Sequence, residues 1–480
     1  MRLSPALFLA LGLAHPSAAQ PSLPAVDAYV AREMRANRLP GVAVAVVRGG
    51  RVVHLKGYGE AGGGRSVTPG TAFMLGSVSK GFTALAVQQL VEAGRIDVDA
   101  PVRRYLPTFA LADTAHAARL RVRDLLGHRS GLGQAASYAN PREGRTLAER
   151  VRDLRTVAPE GPAGADFRYS NANYAVLGAL VEAVSGEPYA AYVERRVFGP
   201  LGMTHAFTSG ARAEAGGAAR GHRFWFGLAR PSGLVYPADN LPSGHLMASA
   251  ADLARYLAAH LGGASAVLPR AGFDRLRTPA PGTAYAGGWI RGEVGGHPAT
   301  FHGGALPDWN AFVALIDAPR PGDPPTGVAV LVNANSVAFG DDVRAFEEGV
   351  ALAAAGFTPP DSGVSLGTKY AAVAFGLALW LAFTARALVR LVRTRRSPAL
   401  RAALHEKRLA TLVGDVGVPI AVALFLPRFT GVGWRAMFDG APDLVGWLAA
   451  ALALGLVVGA ARLALARPDA VPLPPALPAA

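Results

Sequence analysis

The chain has 480 residues, 51% of them hydrophobic and only 17% charged, with a formal net charge of +14 and no cysteine. The absence of cysteine excludes disulfides, thiolate metal sites and cysteine nucleophiles. The length exceeds one typical domain, and the apolar excess collects at the start and toward the end, as in a globular unit with membrane segments attached.

Residues 1–19 read as a secretory signal. Arg2 gives a charged start, Ala6 to Leu13 a short apolar run, and Ser17-Ala18-Ala19 a small-residue cleavage site. The apolar run is too short to span a bilayer. A helix is expected over 24–37. Two apolar runs, 42–47 and 52–55, flank Arg48-Gly49-Gly50 and predict a hairpin. A strong helix over 78–93 stops at Gly94, a good C-terminal cap. Loops and helices follow to about Asn240, with a clear helix over 173–184 before Ser185-Gly186. Strands return at 311–316 and 328–332, and a helix over 341–355 closes the unit. Strands at both ends with helices between predict an α+β fold in which the two ends share one antiparallel sheet.

A Pro/Gly/Ser-rich linker over 357–369 leads to three apolar spans, 370–392, 409–427 and 444–466. Each is near the length that crosses a hydrocarbon core of about 30 Å. Arg386 and Arg390 lie in the first span, and Arg393, Arg395, Arg396, Arg401, Lys407 and Arg408 follow it. This basic group marks a cytoplasmic loop rather than a nucleic-acid surface, and no nucleic-acid binding is expected. The globular unit then lies outside the cytoplasm, in agreement with an exported N-terminus. The second span is interrupted by Asp415 and Pro419; a charge there needs the span's end, protein or water beside it. Gly455 and Gly459 form a GxxxG pair in the third, a pattern that favours close helix packing. A Pro/Ala-rich tail occupies 467–480.

The basic residues point to the chemistry. Lysine occurs only at Lys56, Lys80, Lys369 and Lys407; the rest of the 48 basic residues are arginine. Where a positive charge is enough, this chain uses arginine. What arginine cannot do is lose its proton and act as a base. Lys80 follows Ser77 by three residues in Gly76-Ser77-Val78-Ser79-Lys80, at the start of the strongest helix. Residues three apart share a helix face, so the hydroxyl and the amine can touch. A serine hydroxyl needs such a neighbouring base to become a nucleophile. The helix N-terminus favours the neutral amine and stabilises negative charge on the substrate. A Ser77 that served only as a helix cap would call for Glu or Gln three residues on.

In that frame, residues 73–90 resemble the S-x-x-K segment of serine β-lactamases and penicillin-binding proteins. Phe167-Arg168-Tyr169-Ser170-Asn171 resembles the Y-x-N motif of class C β-lactamases and related D,D-carboxypeptidases and esterases. Phe301-His302-Gly303-Gly304 resembles their third motif, K-T-G or H-x-G. The stretches 94–107, 125–132, 174–203 and 242–257 are similar too, and the likeness runs from about Ala25 to Ala355. It implies a hydrolase domain over 20–356, with an antiparallel sheet flanked by helices and an inserted helical subdomain. It also implies that Ser77 forms an acyl-enzyme while Lys80 and Tyr169 share the proton transfers. Asn171 would hold the substrate amide or orient Lys80. His302, Gly303 and Gly304 would line the substrate site, and the N–H groups of Ser77 and Ala305 would form the oxyanion hole. The third motif departs from the β-lactamase form, with His302 in place of lysine and Gly303 in place of threonine. A partly charged His302 near neutral pH and no threonine hydroxyl weaken recognition of a substrate carboxylate. Esterase or D-amino-acid amidase or peptidase activity is therefore as well supported as β-lactamase activity.

Gly363-Val364-Ser365-Leu366-Gly367 matches the G-x-S-x-G nucleophile elbow, but Pro359-Pro360-Asp361 precede it where that motif needs a strand. His297 and His302 lack the companion ligands of a metal site. The expected partners are a small-molecule or peptide substrate and the membrane, with no cofactor or metal. The alternative is a non-catalytic domain that binds, senses or assembles at the membrane.

Overall fold

In a computed structural model, the described residues are 23–394, apart from 138–143, 234–236, 263–264, 319, 321, 337–338 and 362, together with 441–465 and scattered positions over 408–438. The secretory signal expected at 1–19 and the tail at 467–480 lie outside the described residues.

An eight-stranded antiparallel sheet organises the chain. Its order is Arg65–Ser66, Arg51–Gly62, Gly41–Arg48, Thr326–Val332, Trp309–Ile316, His297–Leu306, Trp289–Val294 and Tyr285–Ala286. The expected N-terminal hairpin therefore pairs directly with the last long strand, Val42 opposite Val332. Side chains alternate between faces. Ala43, Ala45, Val47, Ala329 and Leu331 enter the core beneath the inserted helices. Val42, Val44, Val46, Val328, Val330 and Val332 pack beneath helices Leu23–Asn37 and Gly340–Ala355. Strands covered on both faces read as unbroken apolar runs, which is how 42–47 and 328–332 read in the sequence. Each valine so buried contributes about 1.5–3 kcal/mol.

The residues between the two edges of the sheet form the helical subdomain. At its centre runs Ser79–Glu92, buried almost throughout, with Phe82, Leu85, Val87 and Leu90 in the core and Ser79, Lys80, Thr83 and Gln88 buried as polar groups. It ends at Gly94, whose φ of +68° is the left-handed cap that glycine adopts without strain. Helix Asn171–Ser185 packs beside it and stops at Gly186 with φ +77°.

Beyond the sheet, helices Leu366–Thr394 and Pro442–Leu465 are both long and apolar enough to cross a membrane, and few of their residues are buried. They correspond to the first and third expected spans. Most of the second, 409–427, falls outside the described residues. The first helix starts four residues earlier than the sequence suggests, inside the expected linker. The Leu366 side chain is buried, its N–H donates to Asn37 Oδ1 at 3.1 Å, and Ser365 Oγ accepts from Thr368 N at 3.3 Å. Ser365, the serine of the elbow-like motif, is thus a helix-capping residue with no strand before it.

Candidate active site

The strand Ala72–Met74 leads into Gly76, whose φ of +51° turns the chain into a short 3-10 turn, Gly76–Val78. The α-helix proper starts at Ser79, so Ser77 sits on the turn and Lys80 in the first helical turn. Lys80 Nζ lies 3.0 Å from Ser77 Oγ. The same nitrogen donates to Asn171 Oδ1 at 2.7 Å and to the Ser243 carbonyl at 2.5 Å. Lys80 is completely buried, and desolvation drives its pKa well below the usual 10.5. A neutral amine has two N–H bonds and one lone pair. Two obligate acceptors take the N–H bonds, and the lone pair is left facing the Ser77 hydroxyl.

Tyr169 approaches from the other side, its OH donating to Ser77 Oγ at 2.6 Å. Its ring packs on His128, with centroids 4.5 Å apart. His128 Nδ1 accepts the Ser170 N–H at 3.2 Å and lies 2.9 Å from Asn173 Nδ2. Burial, helped by the nearby Lys80 and His302, pushes the His128 pKa well below 6.5, so this support stays neutral. Asn171 opens helix Asn171–Ser185 directly after these residues, which is why one short motif carries both groups.

The third motif lies on strand His297–Leu306, and two of the sequence expectations change there. His302 is not partly charged. It is 4% exposed, and burial first, then Lys80, lowers its pKa to about 3. Nδ1–H donates to the Gly303 carbonyl at 2.6 Å, and Nε2 accepts from Tyr285 OH at 3.2 Å, a pattern that suits the neutral ring. Gly303 does not line the serine side. Strand alternation turns it to the opposite face, where a Cβ would meet Arg344 Nη1 at 3.5 Å. Gly304 does face the serine: a Cβ there would stand 2.0 Å from the Leu75 carbonyl and 3.0 Å from Ser77 N. A Cβ on Gly76 would stand 2.8 Å from Ala305 N. Two glycines thus let strand and turn touch backbone to backbone, bringing the Ala305 backbone close to the turn that carries Ser77. A side chain at either position would separate them.

Three residues in this arrangement escaped the sequence reading. The Ser243 carbonyl acts through its backbone, so its side chain carried no signal. His128 lies in the family-like stretch 125–132, which could have flagged it. Tyr285 had no signal at all. A cavity of about 920 Å³ adjoins the turn, with Met74, Leu241, His245, Asp308 and Trp309 in its wall. Among the described residues, no three His, Cys, Asp or Glu side chains are grouped to hold a metal ion.

A partly exposed serine between a buried amine and a tyrosine hydroxyl has the geometry of a serine hydrolase. Residues 26–353 match the Beta-lactamase family model, and the chain belongs to that family. It is 30% identical to Penicillin-binding protein 4 of Amycolatopsis lactamdurans over 298 residues, 58% of this chain and 78% of the relative. It is 25% identical to Protein flp of Staphylococcus aureus strain N315, where the match covers 65% of this chain and under two thirds, 63%, of the relative. Among solved structures, the fold is similar to a D-alanine carboxypeptidase AmpC from Burkholderia cenocepacia. That likeness has a TM-score of 0.57 at 22% identity and covers 68% of this chain and 97% of that one.

Proposed function

We propose that the protein is a membrane-anchored serine hydrolase that forms an acyl-enzyme at Ser77 and acts outside the cytoplasm. The observation that carries the reading is the fully buried Lys80 amine, 3.0 Å from Ser77 Oγ and held by Asn171 Oδ1 and the Ser243 carbonyl. Lys80 takes the hydroxyl proton as Oγ attacks a carbonyl carbon. The carbonyl oxygen becomes negative against the N–H groups of Ser77 and Ala305. Collapse of the tetrahedral intermediate expels the alcohol or amine, protonated through Tyr169. In the second half-reaction Tyr169 and Lys80 deprotonate water, which attacks the ester at Ser77 and releases the acid.

The neutral His302 favours one part of the substrate range. Strand His297–Leu306 presents an uncharged ring toward the serine where a carboxylate anchor would need a cation. Esters and amides without an adjacent carboxylate fit this better than β-lactams or D-alanyl peptides. The names of the relatives keep penicillins and D-alanine peptides within the range to be tested.

Membrane anchoring is supported by helices Leu366–Thr394 and Pro442–Leu465, where Phe375, Phe383, Val392 and Val457 are all more than half exposed. Helices apolar on all sides need a non-aqueous surrounding. The basic group after the first helix favours a cytoplasmic loop there and the hydrolase on the opposite side.

The test is turnover of p-nitrophenyl esters by the full-length protein in detergent, alongside labelling by a fluorescent penicillin. Ester turnover with no lasting penicillin adduct is expected. A penicillin adduct without ester turnover would move the assignment to carboxylate-bearing substrates. Neither signal from folded protein would favour a non-catalytic binding role.

A further inference from the structure

A small hairpin far along the chain from the catalytic motifs carries an unusual tip. Strands His222–Trp225 and Leu228–Pro231 pair with Trp225 opposite Leu228, leaving Phe226-Gly227 as a two-residue turn. Both turn residues are left-handed, at φ +48° and +76°. Turns of this type favour asparagine or glycine at the first position. A bulky aromatic there is strained and persists only where something holds it.

The base of the hairpin is firmly seated. Phe224 is buried and stacks on Tyr370 at 5.9 Å, and Arg38 donates to the Gly227 carbonyl at 3.1 Å. Phe226 N–H donates to Asp443 at 2.5 Å, and its ring meets Trp447 at 5.3 Å. Tyr370 and Asp443 stand near the starts of the two long apolar helices. The tip therefore projects where both helices leave the catalytic domain. Yet Trp225, Phe226 and Leu228 remain 40%, 37% and 47% exposed, and Arg230 beside them is exposed too.

We propose that this tip is a membrane wedge: Trp225, Phe226 and Leu228 insert at the boundary between lipid headgroups and acyl chains, and Arg230 meets the phosphates. The occupant is the bilayer because the exposed aromatic surface is continuous with the apolar surfaces of the two helices. Aromatic residues with a nearby arginine are the composition that settles at that depth. The hairpin base, at Gly221 and Ser232, also lines the cavity of about 920 Å³ beside the serine turn. Seating the wedge thus fixes the orientation of this cavity over the membrane. The proposal rests on the reading of helices Leu366–Thr394 and Pro442–Leu465 as membrane spans.

The test uses the full-length chain in nanodiscs of phosphatidylethanolamine and phosphatidylglycerol. Because the chain has no cysteine, single nitroxide labels can be placed through Trp225→Cys, Leu228→Cys, Phe383→Cys and Val52→Cys. Val52, half-exposed, pairs with Val47 near the end of strand Gly41–Arg48 that is remote from the Asn37–Leu366 contact, and serves as the water reference. Collision with oxygen and with a water-soluble nickel complex reads the depth of each label. The expected result is that labels at 225 and 228 show nickel accessibility several-fold lower than the label at 52, at a depth shallower than the label at 383. A lipid-buried label at 383 with water-exposed labels at 225 and 228 would overturn the wedge and leave the anchoring reading standing. A water-exposed label at 383 would overturn both.

Discussion

Lys80 Nζ stands 3.0 Å from Ser77 Oγ with its other two hydrogen-bonding directions taken by Asn171 Oδ1 and the Ser243 carbonyl. The pair differs from a chance contact because the surroundings determine which end of the amine faces the serine. An ammonium would present a third N–H to Ser77 and block proton transfer. The neutral form presents a lone pair.

Lys80→Arg should lose activity by about 10²–10⁴-fold although it keeps a cation, because guanidinium cannot accept the serine proton. Lys80→Met should be equally inactive while avoiding a buried charge, so it separates lost chemistry from lost folding. In the native protein, kcat/KM should fall as pH drops through the lowered pKa of Lys80, giving an acid limb well under 10.5. Steady-state kinetics across pH checks this; an acid limb near 10.5 would remove Lys80 from the base role.

Tyr169→Phe keeps the ring on His128 and removes only the hydroxyl that reaches Ser77. A fall in kcat of about 10²-fold or more, with unchanged thermal unfolding, is expected. A variant with near-native kcat would assign the proton relay to Lys80 alone.

Gly304→Ala places a methyl group 2.0 Å from the Leu75 carbonyl, on rigid backbone. Strand and turn must part, and the two N–H donors lose their common focus. Removing one such donor typically costs about 10²–10³-fold in rate. Hydrolysis of an activated ester by the variant measures it, with circular dichroism to show that the fold is kept.

Buried His302 and half-buried His245 predict an acid-labile fold. His302 and His245 titrate near 6.5 when unfolded, and burial lowers them to about 3 and about 4 in the folded protein. The unfolded chain therefore binds more protons below pH 6.5. The stability they contribute is fully present above that value and is lost as pH falls toward 4 and then 3. Each contributes a slope of up to about 1.4 kcal/mol per pH unit in that window. Thermal unfolding from pH 7.5 down to 4 should show a declining midpoint, while a flat profile would mean these rings are not held neutral.

Much of this site was legible because its parts are local. Ser77 and Lys80 are three residues apart on one turn, so spacing brings them together, whereas Tyr169 and Asn171 were legible only through their resemblance to the Y-x-N motif. The sheet was legible because strand-like segments, 42–47 and 328–332 among them, fall at both ends of the unit with helices between. The charge of His302 was not legible, since it depends on burial and on Tyr285, whose hydroxyl reaches it from a neighbouring part of the sheet. The face chosen by Gly303 was hidden for a related reason. A glycine gives no hydrophobic pattern, and a one-residue change of register reverses its side.

Intact-mass spectrometry of the full-length protein after exposure to a fluorophosphonate tests the catalytic assignment most directly. One adduct, mapping to Ser77 and absent from Ser77→Ala, is the predicted result. An adduct on another serine, or none on folded protein, would contradict the account.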